Sequence, residues 1–269
     1  MISTATNAVI TGAASGIGLG LAREAARRGL RLILADRDSD ALAAATAELP
    51  DALAVPTDVT DRAAVDKLAD IAFERFGRVD LLFNNAGIMA TGFSWEIEPA
   101  RWDASLAVNV GGVLNGIRSF VPRMLKANVP ARIVNTASVG GFNPSPLMAP
   151  YSATKFAVVS ITESLKVELD MLSAPIAVSL LAPGPVRSAI FDDPFSGNIH
   201  PATQKFVDAL RTMIGQHGMD PEPFAAAVFD AIERGDYWIV PQPEALDPML
   251  EQRHKMIAER AQPRFDFFS

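Results

Sequence analysis

Short apolar runs alternate with longer amphipathic segments along the whole chain, and this alternation constrains the fold more than any other feature. It is typical of a parallel sheet covered by helices on both faces, because each connection between parallel strands must cross back over the sheet. The sequence therefore predicts a single α/β domain over residues 1–269. The predicted strands are 8–10, 32–35, 53–55, 81–83, 132–135, 176–181 and 237–240.

A glycine-rich turn follows the first predicted strand. Gly12, Gly16 and Gly18 precede a segment with helical periodicity, 19–28. Glycines at these positions allow a tight turn and a close approach to a pyrophosphate, and the helix N-terminus offers free N–H groups. Asp36 ends the second strand, where a carboxylate can bind a ribose hydroxyl of NAD. A plain strand-to-helix turn would explain the glycines alone; together with the acid they indicate a Rossmann-type, doubly wound sheet that binds a dinucleotide.

A tyrosine and a lysine in the second half of the chain form a possible acid/base pair. Tyr151 and Lys155 lie four residues apart in a segment that reads as helix, so their side chains share one face. A neighbouring cation favours the phenolate and is expected to lower the pKa of Tyr151 toward neutrality. Taken alone, such a pair is far more often a half-buried tyrosine beside a solvated lysine. Ser138 and Asn109 upstream favour the catalytic interpretation.

These residues resemble the short-chain dehydrogenase/reductase family, in its compact single-domain branch, over roughly residues 7–190. Segment 11–18 is similar to the family's cofactor loop, and 84–87 is similar to the segment that stabilises the central sheet. Segment 183–188 resembles the turn that closes over the nicotinamide, although it ends in Ser188 where the family commonly has threonine. The resemblance implies a catalytic tetrad of Asn109, Ser138, Tyr151 and Lys155. It also implies cofactor contacts from Gly12, Ser15, Gly16, Ile17, Gly18, Asp36, Arg37, Asp58, Val59, Asn85, Ala86, Gly87, Tyr151, Lys155, Pro183, Gly184, Val186 and Ser188.

In this scheme Tyr151 is the general acid for carbonyl reduction and the base in the reverse direction. Lys155 lowers the pKa of Tyr151 and binds the nicotinamide ribose, while Ser138 holds the substrate oxygen. Asn109 is expected to position a water for a proton relay to Lys155.

The expected cofactor is NAD, with NADP as the alternative. The carboxylate of Asp36 would repel the 2'-phosphate of NADP. Arg37 follows immediately and could instead bind that phosphate.

The expected substrate is a small hydrophobic alcohol or ketone. It should meet Ile88, Met89, residues 140–150 and the stretch after Pro183, which are mainly apolar and include no Lys or Arg between Ser138 and Tyr151. Some of these side chains could simply pack a lid over the site without contacting the substrate. The apolar residues that stand out are Phe142, Leu147, Met148, Ile190, Phe191 and Phe195.

Two C-terminal segments are predicted to cover the site. Residues of about 188–218 mix apolar anchors with loop formers such as Gly197, and are predicted to be a mobile substrate lid. Residues 241–269 form a tail with Phe265, Phe267 and Phe268 that caps a pocket or a neighbouring subunit, or only covers its own core.

The composition of the chain limits the partners and ligands that it can bind. A net charge of −7 argues against nucleic acid, and the absence of cysteine excludes disulfides and thiolate ligands within this sequence. The three histidines, 200, 217 and 254, lack metal-ligand spacing, so no metal site is expected. No apolar run approaches the ~20 residues of a membrane span. With no leader pattern at 1–4, a cytoplasmic protein without a membrane partner is expected.

The sequence favours an NAD(P)-dependent alcohol dehydrogenase or carbonyl reductase. A non-catalytic dinucleotide-binding or redox-sensing protein on the same fold is the main alternative. A sugar-nucleotide epimerase or dehydratase shares the Tyr and Lys pair but normally has a larger C-terminal domain. The family resemblance further implies a homodimer or homotetramer that packs through long helices near 100–126 and 151–172.

Overall fold

Seven parallel strands form one sheet in the computed structural model, which describes residues 6–195 and 199–264. Some residues named in the predictions lie outside these ranges: Gly197 of the predicted lid, and Phe265, Phe267 and Phe268 of the predicted tail. The strands are β1 (Asn7–Thr11), β2 (Arg31–Asp36), β3 (Ala52–Pro56), β4 (Leu81–Asn84), β5 (Ala131–Thr136), β6 (Ile176–Leu181) and β7 (Trp238–Ile239). Their order is β3-β2-β1-β4-β5-β6-β7. The predicted α/β, doubly wound fold class is confirmed.

Helices cover both faces of the sheet. They are α1 (Gly16–Arg27), α2 (Ser39–Ala47), α3 (Arg62–Phe76), α4 (Pro99–Leu106), α5 (Gly112–Ala127), α6 (Ala149–Met171), α7 (Pro201–His217), α8 (Pro221–Arg234) and α9 (Pro243–Ala258). One buried cluster joins the sheet to α1 and α8, and a second joins it to α3, α5 and α6. Strand β1 is buried along its whole length because helices pack against it from both sides.

The strand order reverses between β1 and β4, which are neighbours in the sheet. At such a switch point the loops after the two strands diverge and leave a crevice at the carboxyl ends, where ligands of doubly wound folds bind. Gly12 follows β1 and Asn85 follows β4. Both predicted cofactor segments therefore begin at the crevice.

The helix predicted near 100–126 is interrupted. Helix α4 ends at Leu106, a π-helical turn spans Ala107–Gly111, and α5 begins at Gly112. Asn109 lies in the π turn and is fully buried. Such turns inside helices are frequent at functional sites, because they redirect one side chain out of the regular helical row.

The two long helices leave apolar side chains exposed. Val167 and Met171 near the end of α6 are 57% and 79% exposed. A homodimer or homotetramer through these helices stays a prediction, as does the cytoplasmic location. Within residues 6–195 and 199–264, no helix is both long and apolar enough to cross a membrane.

Candidate active site

The turn between β1 and α1 packs so closely that glycine is required. Gly12 and Gly16 have φ angles of +66° and +51°, in the left-handed region that favours glycine. A Cβ on Gly18 would lie 1.9 Å from the carbonyl oxygen of Gly12. Ser15 precedes α1, and its side chain makes no capping hydrogen bond. Since the first N–H groups of a helix have no partner within it, the turn presents donors and the positive helix end, which suits an anion such as pyrophosphate.

Asn85 ties together the ends of the three central strands. Its Nδ2 donates to the carbonyl oxygen of Thr11 at 3.1 Å, and its Oδ1 accepts from the Thr136 hydroxyl at 3.3 Å. The Thr11 hydroxyl accepts from the backbone N–H groups of Asn85 and Ala86 at 3.0 and 3.2 Å. A Cβ on Gly12 would lie 2.8 Å from the Ala86 Cα. These contacts hold the segment 84–87 directly against the glycine turn.

Asp36 is held in a fixed orientation at the end of β2. One carboxylate oxygen accepts from the N–H of Ala14 at 3.1 Å, and the other accepts from the N–H of Asp38 at 3.1 Å. Each oxygen of a carboxylate can accept more than one hydrogen bond, so Asp36 can still accept from ribose hydroxyls. Arg37 is exposed beside it and lines the same cavity.

Asp58 and Val59 follow β3 and differ in burial. The Asp58 carboxylate accepts from the N–H and the hydroxyl of Thr60 at 2.9 and 2.8 Å, which fixes the turn. Val59 is buried, and a Cβ on Gly112 would lie 2.8 Å from its Cγ2. Val59 therefore packs against the start of α5 and also lines the cavity.

Ser138, Tyr151 and Lys155 meet beyond β5 and are 8%, 8% and 4% exposed. The Ser138 hydroxyl is hydrogen-bonded to the Tyr151 phenol and also accepts from the N–H of Gly140 at 3.1 Å. The Lys155 Nζ donates to the carbonyl oxygen of Thr136 at 2.9 Å and lies 5.6 Å from the centroid of the Tyr151 ring. The structure therefore places a phenol, a hydroxyl and an amine together at one end of the cavity.

The pKa of Tyr151 differs from the sequence prediction. Burial raises the pKa of Tyr151 above its ordinary value, and the hydrogen bond from Ser138 opposes that rise. Burial also lowers the pKa of Lys155 to about 8. The expected lowering at Tyr151 is wrong, because the cost of burying the charged phenolate outweighs the favourable effect of the Ser138 hydrogen bond. Tyr151 is consequently a neutral phenol at neutral pH.

Asn109 connects three parts of the site without lining the cavity. Its Nδ2 donates to the Ile88 carbonyl and the Thr154 hydroxyl, both at 3.0 Å, and its Oδ1 accepts from the Ile88 N–H at 2.8 Å. A Cβ on Gly87 would lie 3.4 Å from that Oδ1 and 3.5 Å from the Lys155 Nζ. Asn109 therefore holds the loop after β4 against α6. Its role in a water relay stays a prediction.

The turn after β6 closes the crevice from the opposite side. A Cβ on Gly16 would lie 2.9 Å from the Ser188 Cβ, so this turn faces the glycine turn directly. The Gln242 Nε2 donates to the Pro185 carbonyl oxygen at 2.7 Å. The side chain before α9 thus anchors the turn.

One cavity of about 720 Å³ runs between these elements. Every residue predicted to contact the cofactor lines it, as do Ser138, Tyr151 and Lys155 from the predicted tetrad. The lining includes Gly12, Ser15, Gly16, Ile17, Gly18, Asp36, Arg37, Asp58, Val59, Asn85, Ala86, Gly87, Pro183, Gly184, Val186 and Ser188.

Comparison with known proteins gives the same assignment. The sequence model of short chain dehydrogenases matches residues 6–198. The chain belongs to the short-chain dehydrogenase family. It is 36% identical to a short-chain dehydrogenase/reductase from Burkholderia phymatum, solved in complex with NAD, with a TM-score of 0.93 over 98% of each chain.

Two similar family members have named activities. The "CLA biosynthesis dehydrogenase/reductase" of Lactiplantibacillus plantarum is 33% identical over 94% of this chain and 93% of that protein. The 1-deoxy-11-beta-hydroxypentalenate dehydrogenase of Streptomyces avermitilis is 35% identical over 92% of this chain and 88% of that protein. This short-chain dehydrogenase is thus related over nearly its whole length to oxidoreductases.

The substrate end of this short-chain dehydrogenase differs in part from the sequence prediction. The predicted residues Ile88, Met89, Gly140, Met148, Ile190 and Phe191 line the cavity. Phe142 does not; it packs edge-on against Trp238 at 5.9 Å between ring centroids. Leu147 and Phe195 are also absent from the lining, because they pack into a neighbouring apolar cluster.

The predicted lid (188–218) and tail (241–269) contain α7 and α9, but none of the cavity-lining residues on these two helices was named from the sequence, and no contribution from α4 was expected. Arg101, Ala104 and Val108 come from α4 and the π turn, Leu210, Met213 and Ile214 from α7, and Ala245 and Met249 from α9. Their spacing of three or four residues along a helix was a usable signal for one shared face. Asn143, Ser145, Asp192 and Asp193 add polar groups that the apolar pattern did not suggest.

Proposed function

We propose that this protein is an NAD-dependent alcohol dehydrogenase or carbonyl reductase for hydrophobic secondary alcohols and ketones. One observation carries the proposal: the glycine turn, Asp36 and the group formed by Ser138, Tyr151 and Lys155 line a single continuous cavity. The NAD-bound relative and the dehydrogenase names of the relatives support it.

The residues present fit a dinucleotide. The glycine turn packs so closely against Ala86, Ser188 and its own backbone that no side chain fits at Gly12, Gly16 or Gly18. The N-terminus of α1 supplies donors and a positive dipole end for a pyrophosphate. Asp36 is oriented for ribose hydroxyls by its two backbone hydrogen bonds. NAD(H) would supply or accept the hydride when bound.

Tyr151 acts as the proton donor to the carbonyl oxygen. Because burial raises its pKa, the phenol holds its proton at neutral pH and can release it as negative charge develops on the substrate oxygen. Ser138 donates a hydrogen bond to the same oxygen and stabilises that charge.

Lys155 stabilises the phenolate that Tyr151 becomes after it donates its proton. With a pKa of about 8, its amine is mostly protonated at neutral pH. One of its three donors binds the Thr136 carbonyl, which leaves the others for the nicotinamide ribose. Asn109 Oδ1 lies across Gly87 from the Lys155 Nζ, where a water can link the two and return a proton to Tyr151.

A substrate screen tests the proposed activity. Purified protein at pH 7 is mixed with NADH and a panel of aryl ketones, cyclic ketones and steroid-like ketones, and absorbance at the NADH band is followed. We expect NADH consumption with hydrophobic ketones and little with sugar phosphates or carboxylic acids. Tight NADH binding without consumption on the whole panel would instead support the non-catalytic dinucleotide-binding alternative.

Cofactor preference tests the role of Asp36. We expect a higher kcat/KM with NADH than with NADPH, and we expect Asp36→Ala to narrow that ratio by roughly tenfold, since the removed charge repels the 2'-phosphate. Asp36→Asn is the matched control: it removes the charge while keeping one acceptor for the Ala14 or Asp38 N–H. Both variants should narrow the ratio. A wild-type preference for NADPH would show that Arg37 dominates and the assignment is wrong.

A further inference from the structure

A short segment over the substrate end of the cavity is held by side chains from outside it. We call residues 189–195 the strap; it begins with a 3-10 turn, Ala189–Phe191. Ile190 and Phe191 from the strap line the cavity, and Phe191 is 8% exposed. The four consecutive carbonyl groups of residues 191–194 each accept a hydrogen bond from another element.

Arg211 on α7 binds the first half of the strap. Its Nε and Nη2 donate to the Phe191 carbonyl oxygen at 3.1 and 2.6 Å, and its Nη2 also reaches the Asp192 carbonyl oxygen at 3.3 Å. Its guanidinium carbon lies 5.8 Å from the centroid of the Phe195 ring. Charged donors make stronger hydrogen bonds than neutral ones, and the planar guanidinium can serve two carbonyls and an aromatic face together.

Arg101 on α4 binds the second half. Its Nη2 donates to the carbonyl oxygens of Asp193 and Met89, and its Nη1 lies 3.5 Å from the Asp193 carboxylate. Thr91 completes the attachment, because its N–H and hydroxyl both donate to the Pro194 carbonyl oxygen, at 2.7 and 2.9 Å.

We propose that Arg101 and Arg211 are positioning residues that clamp the strap and thereby set the size of the substrate end. Helix α7 also supplies Leu210 and Met213 to the cavity wall, and α4 supplies Ala104. The two arginines therefore fix the strap between the helices that form the remaining walls. The sequence predicts a mobile lid over 188–218. In this proposal residues 189–195 of that lid form a fixed wall, held by contacts within the chain, and the mobility of the remaining lid residues stays a prediction.

The Thr91 amide reports the clamp directly. Its N–H bonds only the strap carbonyl of Pro194 among the hydrogen bonds of the described residues, whereas the N–H of neighbouring Gly92 bonds the Leu147 carbonyl at 2.9 Å and serves as an internal reference. Arg211 lies on a different element from Thr91. Faster exchange at Thr91 in an Arg211 variant must therefore be transmitted through the strap.

Hydrogen–deuterium exchange tests the clamp without any substrate. In Arg211→Met and Arg101→Met the Thr91 amide should exchange at least about tenfold faster, with Gly92 unchanged in Arg211→Met. Arg211→Lys and Arg101→Lys keep the charge but lose the fork of donors. In these variants the Thr91 amide should exchange at a rate between those of wild type and the methionine variants. Arg62→Met is the control: it removes an arginine of α3 that pairs with Asp66. If the Thr91 amide exchanges at the same rate in the lysine and methionine variants as in Arg62→Met, the clamp is overturned. The conservative lysine variants keep this test usable if a methionine variant does not fold.

Kinetics test the positioning role, which rests on the proposed function. Acetophenone and acetone serve as a bulky and a small probe. Arg211→Met should raise the ratio of the KM for acetophenone to the KM for acetone by about tenfold. The kcat for acetone and the Kd of NADH should stay within about twofold of wild type. An unchanged KM ratio together with faster Thr91 exchange would contradict the effect on specificity. If the wild type reduces neither ketone, the proposed substrate class fails, while the exchange data still decide whether the clamp exists.

Discussion

Tyr151→Phe should lower kcat for ketone reduction by at least about 100-fold while the Kd of NADH stays within about twofold of wild type. The substitution removes only the phenol oxygen, so the buried ring keeps its packing and the Ser138 hydroxyl loses one partner. The expected loss follows because Tyr151 is the only phenol among the residues that line the cavity. Steady-state kinetics and a fluorescence titration with NADH measure the two quantities.

The chain offers a matched control, because it contains only two tyrosines. Tyr237 precedes β7, and burial raises its pKa to about 12. Its hydroxyl has no hydrogen-bond partner in the described part of the chain. Tyr237→Phe should leave kcat unchanged. Turnover near the wild-type rate in Tyr151→Phe would remove Tyr151 from the mechanism.

Gly18→Ala should weaken NADH binding by more than about 100-fold and lower the temperature of unfolding. The added Cβ would lie 1.9 Å from the Gly12 carbonyl oxygen and 2.8 Å from the Asn85 Nδ2, so backbone in the glycine turn must move. Because that turn supplies the anion site and contacts the segment after β4, the movement disturbs both. NADH titration and thermal unfolding measure the result.

Gly215→Ala is the control for the same chemical change. Gly215 lies inside α7, and a Cβ there meets no atom within 4 Å. Alanine should therefore raise the free energy of unfolding by about 0.5–1 kcal/mol, because it lowers the conformational entropy of the unfolded chain. Wild-type NADH affinity in Gly18→Ala would show that the turn tolerates a side chain and that the cofactor assignment needs another basis.

The sheet and the cofactor crevice can be predicted from the sequence because their signals are local. A strand such as β1 is an uninterrupted apolar run, and glycines mark the positions where the backbone leaves no room for a Cβ. In a doubly wound sheet the carboxyl ends of the strands meet at one edge, so residues such as Asp36 and Asn85 are brought together by topology alone.

The substrate end could not be predicted in the same way. The spacing of Leu210, Met213 and Ile214 indicates a helix with one buried face but does not say which element that face packs against. Arg101 gives no local signal at all, since its partners Met89 and Asp193 are distant in sequence. Packing between elements distant in sequence determines which element the buried face of α7 contacts and which residues Arg101 binds.

The chemistry of Tyr151 shows the same limit. Helical spacing correctly places Lys155 beside its ring, at 5.6 Å. The direction of the pKa shift depends instead on burial by surrounding elements, which raises the pKa of Tyr151 and lowers that of Lys155. A neighbouring charge could be inferred from spacing, whereas desolvation could not.

Following the hydride itself tests whether this protein catalyses hydride transfer between a nicotinamide and a carbonyl carbon with Tyr151 as proton donor. Wild-type protein and Tyr151→Phe are incubated with acetophenone and NADH that carries deuterium at both C4 positions, and the alcohol is separated by chiral chromatography and examined by mass spectrometry. We expect one deuterium on the carbinol carbon of the wild-type product, as a single enantiomer, and at least about 100-fold less product from Tyr151→Phe. Equal amounts of deuterated alcohol from both proteins, or bound NADH with no deuterium transfer to this or any other ketone of the panel, would contradict this mechanism.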